Sequence, residues 1–435
     1  MGIPLAPAPC ARIWRTVALL LVAPALLGAL TGACVAVATA LVEGEALGRL
    51  AALPGLMPVA LTPLALLATL AVAVGVTRVA QPSTAELYIE TYHDPEGRIP
   101  LRQLPGRVLA AATTVGFGGA QGLESPSALI GAGAGDVLGH ARWWRIEPAE
   151  SRALMVAGAS AGIAAVFSSP ALGAFYGMEV PFRRDLDARP FVPCAVAAAA
   201  SYVTRRSLIG ARHLVVPGGP TPPVDLTFVA AVVLVALACG IGARLFAHVD
   251  TWLQHRARGR SRLERAASAG AVLAALTWAG HALSGEWVTF GPGYVAVDWL
   301  FVASHPTWLM AAVLAVRAAA TLTCVYGGGG GGVFTALATC GAFIGQLVAA
   351  LVHDGTRVYP LLGAACFLGA GYRLPVGTAL LVAESSGDLA VSAAGLVVIA
   401  IGQLCMGERS VSEAKADTRA LHRAAARDAR PGVGV

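Results

Sequence analysis

The chain has 435 residues, 56% of them hydrophobic and only 13% charged, with a net charge of +6 and a mean hydropathy of +0.69. Soluble domains carry about twice that share of charge, so a water-facing exterior is excluded and most of the surface must meet lipid. Basic residues cluster at Arg12/Arg15, Arg183/Arg184, Arg205/Arg206, 256–265 and 415–430. The positive-inside rule reads these clusters as cytoplasmic loops and tail, in preference to a nucleic-acid surface. The eight cysteines are scattered and lie mostly inside apolar runs, a pattern of neither a disulfide framework nor a zinc site.

A membrane-spanning helix needs about 20 apolar residues. Runs of that kind are expected at 14–42, 53–76, 154–178, 191–203, 226–246, 266–283, 299–324, 334–351 and 359–405, the last long enough for two helices. The first run is read as a retained helix rather than a signal peptide, because no cleavage site precedes more polar sequence. Several runs are short or broken by Gly and Pro. Non-helical backbone at membrane depth is tolerated only where protein buries it or water lines it. The fold expected is all-α and polytopic, packed closely through small residues. The Pro/Gly-rich stretch around 216–226 separates two halves, 1–215 and 227–407, and a short cytoplasmic tail, 408–435, follows. Each half holds one glycine-rich interrupted element, the pattern of a transporter built from inverted repeats.

Four stretches carry chemistry. In "VAQPSTAELYIETYH" (79–93), Pro82, Ser83 and Thr84 mark a helix start. Ser83 or Thr84 can cap that helix or donate a hydroxyl to an anion. In "GFGGAQGLESPSALIGAG" (116–133), one carboxylate, Glu124, stands among glycines, with Pro126 suited to a first helical turn. The free N–H groups and positive dipole end of that helix attract anions. Glu124 is therefore either an ordinary first-turn cap or a tethered stand-in for a transported anion, leaving when protonated or displaced. In "GASAGIAAVFSSPALGAFYGMEVPFRRD" (158–185), a small-residue helix breaks at Ser168-Ser169-Pro170, and a short helix ends at Glu179 beside Arg183 and Arg184. Glu179 is a membrane-edge charge or part of a proton route. In "CVYGGGGGGVFTALATCGAFIG" (324–345), six glycines precede Val333 and Phe334. A floppy linker there would strand backbone groups in lipid. A folded loop opening a helix would instead aim a second set of N–H donors at the same site.

Taken together, these blocks resemble the CLC family of chloride channels and chloride/proton exchangers, in order over nearly the whole chain. "GLESP" (122–126) resembles the family's GREGP motif, which puts Glu124 on the gating glutamate and Gly122 and Leu123 beside it. "GGGVFTALA" resembles GxFxP, with Gly332, Val333, Phe334 and Thr335 in place and Ala336 for the proline. "YRLPVGTALLVAESSGDL" is similar to the family's arginine–apolar–proline helix start. The GSGIP loop has no close copy; gapless alignment from Glu124 puts its serine on Ser83, with Thr84 next to it. The anion-contacting tyrosine of the last helix falls on Val411, so an inner hydroxyl is missing or supplied otherwise. The exchangers' inner proton glutamate falls on Val180, with Glu179 just before it.

What the resemblance implies is a homodimer in the cell membrane, one pore per subunit, with cytoplasmic termini and no CBS domains in the short tail. Helix N-termini and hydroxyls would hold chloride or a related small anion, and no cofactor or metal. The expected function is glutamate-gated, channel-like anion transport; the alternative is proton-coupled chloride or fluoride exchange. A membrane enzyme using Glu124, Asp136 and His140 lacks a second His/acid pair and a nucleophile–base set, so no enzymatic activity is expected. A structural or signalling protein that has lost transport is a further alternative.

Overall fold

The computed structural model describes residues 9–77, 84–94, 97–141, 146–215, 221–412 and Lys415. Helices α1 (Pro9–Val17), α2 (Ala23–Thr39) and α3 (Leu47–Ala51) run on through π-helical turns at Ala18–Val22 and Ala40–Ala46. The first half continues with α4 (Met57–Leu61), α5 (Leu64–Val72), α6 (Ala85–His93), α7 (Leu104–Gly116), α8 (Glu124–Gly139), α9 (Pro148–Phe167), α10 (Pro170–Glu179) and α11 (Phe191–Ile209). The second half holds α12 (Leu226–Ala257), α13 (Arg262–Ser284), α14 (Tyr294–Val302), α15 (Thr307–Tyr326), α16 (Phe334–Leu351), α17 (Val358–Tyr372), α18 (Pro375–Ser386) and α19 (Leu389–Met406).

Local chemistry sets many of the helix starts. Asp225 caps α12 by accepting from Phe228 N at 2.8 Å, and Asp388 caps α19 by accepting from Val391 N at 3.0 Å. Ser261 and Glu264 form a reciprocal capping box at α13. Prolines sit in the first turns of α7, α9, α10 and α18, where no N–H donor is required. The apolar run at 359–405 makes three helices rather than the two its length allows. Arg373, with φ of 51°, and Gly387, with φ of 61°, turn the chain left-handed at the two breaks.

Among the described residues, eight helical stretches are long and apolar enough to cross a bilayer. They differ in what surrounds them. Most of α9 is buried (83% of its apolar window), whereas the stretch Met57–Val76 is mostly exposed (28% buried). The protein is therefore a polytopic membrane bundle, with α8, α9, α16 and α17 inside and apolar helices such as α5, α13 and α19 around them. Exposed apolar side chains such as Leu30, Val74 and Leu245 belong to that lipid-facing exterior.

The two halves repeat one packing device. Gly131 of α8 lies against the backbone of Gly158 in α9, and Gly135 against Leu154. Gly341 of α16 meets Gly363 of α17, and Gly345 meets Tyr359. Each pair of glycines occupies the same register, because Gly131 follows Glu124 at the distance at which Gly341 follows Phe334. Any side chain there would enter the neighbouring backbone, so only glycine allows these crossings. This shared register is a likeness between the two halves that the weak self-similarity of the sequence conceals.

Arg205 and Arg206 lie near the end of α11, whose 19 residues span roughly 28 Å at 1.5 Å per residue, while Arg183 and Arg184 precede its start. Arg205 is buried, donating to Ser168 Oγ at 2.9 Å and to the Gly210 carbonyl at 2.8 Å. It is a packing group at the end of α11 and not a solvent-exposed charge.

Candidate functional site

Helices α8 and α16 begin inside the protein rather than at its surface. The residues before their first turns, Leu123 and Val333, are both buried and carry no side-chain oxygen with which to cap them. The first N–H groups of both helices are thus left for something else. The two loops leading in are joined by main-chain hydrogen bonds, Gly122 N to Gly332 O at 2.9 Å and Gly332 N to Gly122 O at 2.7 Å. Gln121 Oε1 accepts from Gly331 N at 3.2 Å, and Thr114 Oγ1 from Gly330 N at 3.0 Å. The six glycines are therefore a folded turn, not a linker.

Glu124 lies between the two starts, fully buried. Its Oε1 accepts from Thr335 N in the first turn of α16 at 3.2 Å. A carboxylate from one half therefore occupies the N-terminus of a helix in the other. A methyl group at Gly122 would overlap that carboxylate, and one at Gly332 would come within 2.7 Å of Oε2; both glycines are needed for the approach. Three buried oxygens at the two helix starts have no hydrogen-bond partner among the described residues: Glu124 Oε2, Ser125 Oγ and Thr335 Oγ1; Thr84 Oγ1 on α6 is a fourth such oxygen on a candidate anion residue. Leaving such groups dry costs about 1–3 kcal/mol each. Thr84 precedes the first residue of α6 yet makes no side-chain cap.

A cavity of about 640 Å³ leads to this place. Its inner wall includes Gln121, Ser125, Gly332 and Val333; its outer wall includes Arg258, Arg260, Arg262 and Arg265, where α12 turns into α13. An aromatic row binds the surrounding helices. Tyr88 of α6 stacks on Tyr176 of α10 at 6.4 Å, Tyr176 meets Phe334 edge-on at 5.6 Å, and Tyr372 stacks on Phe334 at 3.8 Å. Behind α16, Arg317 is completely buried and donates to the carbonyls of Thr289 and Gly291, each at 2.6 Å. The site thus offers helix dipoles and hydroxyls at close range, with a full positive charge held back by carbonyls. That suits an anion that must also leave.

Comparison with known proteins agrees. A sequence model of the family described as "Voltage gated chloride channel" matches residues 64–407. The chain belongs to the CLC family. It is similar to a "Chloride/fluoride channel protein" of Pseudomonas syringae pv. tomato, 28% identical over 322 residues, 72% of this chain and 69% of the relative. Its fold resembles that of a CLC-type fluoride/proton antiporter (TM-score 0.79, 19% identity, 92% of this chain and 98% of the other). It also resembles a slow cyanobacterial Cl-/H+ antiporter (TM-score 0.77, 21% identity, 95% and 99%). As a CLC protein it is a multi-pass anion transporter.

Within this CLC chain the expected residues divide. Gly122, Leu123, Glu124, Gly332, Val333, Phe334 and Thr335 are brought together. Ser83 lies outside the described residues. Glu179 stands apart, with Oε1 accepting from Val376 N at 2.9 Å and Oε2 from Gly377 N at 3.0 Å at the start of α18. Val180 is buried beside it. Asp136 pairs with His140 at 3.1 Å and lies 3.9 Å from Arg98, an ion-pair cluster at the far end of α8; no group able to hold a metal occurs among the described residues.

Sequence reasoning passed over Ser125, although it stands inside the quoted motif, and Tyr372, which stands just before the "RLP" that was quoted. It counted Lys415 only among the basic residues of the cytoplasmic tail. That amine is buried, donating to the Tyr372 carbonyl and, at 3.5 Å, to the Phe182 carbonyl. Burial pulls it down to about 7, against the opposing pull of Glu179 and with help from Arg373 and Arg183.

Proposed function

We propose that this CLC chain passes chloride or a related small anion, fluoride included, through a pore gated by Glu124, in the manner of a channel. One observation carries the reading: the Glu124 carboxylate occupies the uncapped start of α16 while unpartnered oxygens surround it. A bound anion and this carboxylate compete for one set of N–H donors. Protonation removes the negative charge and with it the carboxylate's hold on a helix N-terminus. Flux should then depend on pH through this one residue.

The channel-like part of the reading rests on α10. Val180 offers no proton-accepting group, and both oxygens of Glu179 are engaged by α18. An exchanger is the second reading, favoured by the burial of Glu179 with Lys415 nearby. We also propose a homodimer in the cell membrane. Its basis is the apolar side chains that α11 and α19 leave uncovered, among them Val203, Leu208, Leu396 and Leu404.

The test uses purified protein in liposomes. Chloride efflux from the wild-type protein should vary with pH, and Glu124→Gln should abolish that variation. Equal pH dependence in both proteins overturns the gate. Reversal potentials at fixed chloride should not move with an imposed pH gradient; a shift rejects the channel in favour of the exchanger.

A further inference from the structure

Tyr372 ends α17 and is 95% buried in the sense that only 5% of it is exposed. Its ring lies almost parallel to that of Phe334, 3.8 Å away and tilted by 17°. It therefore stands against the first residue of the helix whose N-terminus receives Glu124. The remaining exposed part of Tyr372 lines the cavity, together with Ser125, Gly332 and Val333. Val411 and Ser412 line the same wall, and Val411 N donates to Gly371 O at 2.9 Å. Val411, which has no hydroxyl, thus lies beside a residue that has one.

The backbone of Tyr372 is fixed from behind. Its carbonyl accepts from the buried Lys415, and the guanidinium of Arg373 donates to the carbonyls of Arg183 and Gly407. A phenol on so braced a helix end loses little freedom when it meets a ligand, which favours binding.

We infer that Tyr372 is an anion-contacting residue, its hydroxyl donating to the permeating ion on the cavity side of the α16 N-terminus. This rests on the anion-pore reading above and deepens it: α17 supplies an inner hydroxyl, through the face of Phe334, beside Ser412, whose own hydroxyl is buried without a partner among the described residues. The contact is selective in one respect. A single short O–H donor favours small, charge-dense anions over large diffuse ones, so its removal weakens fluoride and chloride more than nitrate.

The experiment compares wild type with Tyr372→Phe, which keeps the ring stack and deletes only the oxygen. Sodium chloride, fluoride and nitrate are titrated calorimetrically into the detergent-solubilised full chain, and thermal stabilisation by each salt is read in parallel. A hydrogen bond to a charged group implies a loss of chloride affinity of about tenfold or more in Tyr372→Phe, with nitrate least affected. Wild-type chloride affinity in Tyr372→Phe overturns the inference, as does an equal loss for all three anions. Tyr372→Leu, which removes ring and hydroxyl together, must lose at least as much; if it binds like wild type the inference fails. Failure of the parent reading looks different, because the wild-type protein itself would then bind none of the three anions.

Discussion

Glu124 shows how few atoms define this site. One carboxylate, two glycines without Cβ atoms and a backbone N–H of α16 make the proposed gate. All but the last are visible as letters in the "GLESP" and "GGVFT" stretches. Gly and Pro constrain the chain locally, which is why a helix starting at Glu124 could be read without a structure. Lys415 is the opposite case. Nothing near it in sequence signals burial; its partners Tyr372, Phe182 and Glu179 come from other helices. The unfolded amine titrates at 10.5 and the folded one at about 7. Below about 7 both states are charged, and the folded chain bears the full cost of the buried cation. As pH rises from 7 to 10.5 the folded state gives up its proton first, so folding gains stability across that window. Glu179, Arg183 and Arg373 face the amine throughout. Thermal midpoints measured from pH 6 to 10 should rise more steeply for wild type than for Lys415→Met; parallel curves would show that the amine is not buried.

At the scale of helices, the crossings of α8 on α9 and of α16 on α17 depend on glycine at matched positions. Gly131→Ala and Gly341→Ala should each destabilise the protein, by about 1–3 kcal/mol for overpacking, read as loss of thermal stability in detergent. Because the two crossings are repeats of one device, the effects should be similar; a silent Gly131→Ala would mean that α8 and α9 are not in that contact. The helices themselves were legible where an apolar run or a proline marked them, as at 226–246 and at Pro170, whereas the cap at Asp225 and the capping box at Ser261 were seen only in the structure. The division of 359–405 into three was not, since Leu374-Pro375 and Gly387-Asp388 are short breaks inside an otherwise apolar run. Helix α7 was missed because Arg107 and two threonines dilute its apolar face.

For the molecule as a whole, charge patterning alone assigns Arg183/Arg184 and Arg205/Arg206 to one side, yet the roughly 28 Å of α11 lies between the two pairs. We propose that α11 crosses the bilayer and that the pairs face opposite sides. Cysteine placed at Arg184 and at Arg206, in a background lacking Cys10, Cys34 and Cys405, should react with a membrane-impermeant maleimide from opposite sides of intact cells. Labelling of both from one side would require α11 to lie in the plane of the membrane. The same view of the molecule gives the pair of bonds between Gly122 and Gly332 a wider meaning. That clasp runs main chain to main chain, so no side chain encodes it. The mouth therefore keeps its main-chain shape independently of the hydrogen-bonding capacity of neighbours such as Leu123 and Ala336, neither of which carries a polar side chain.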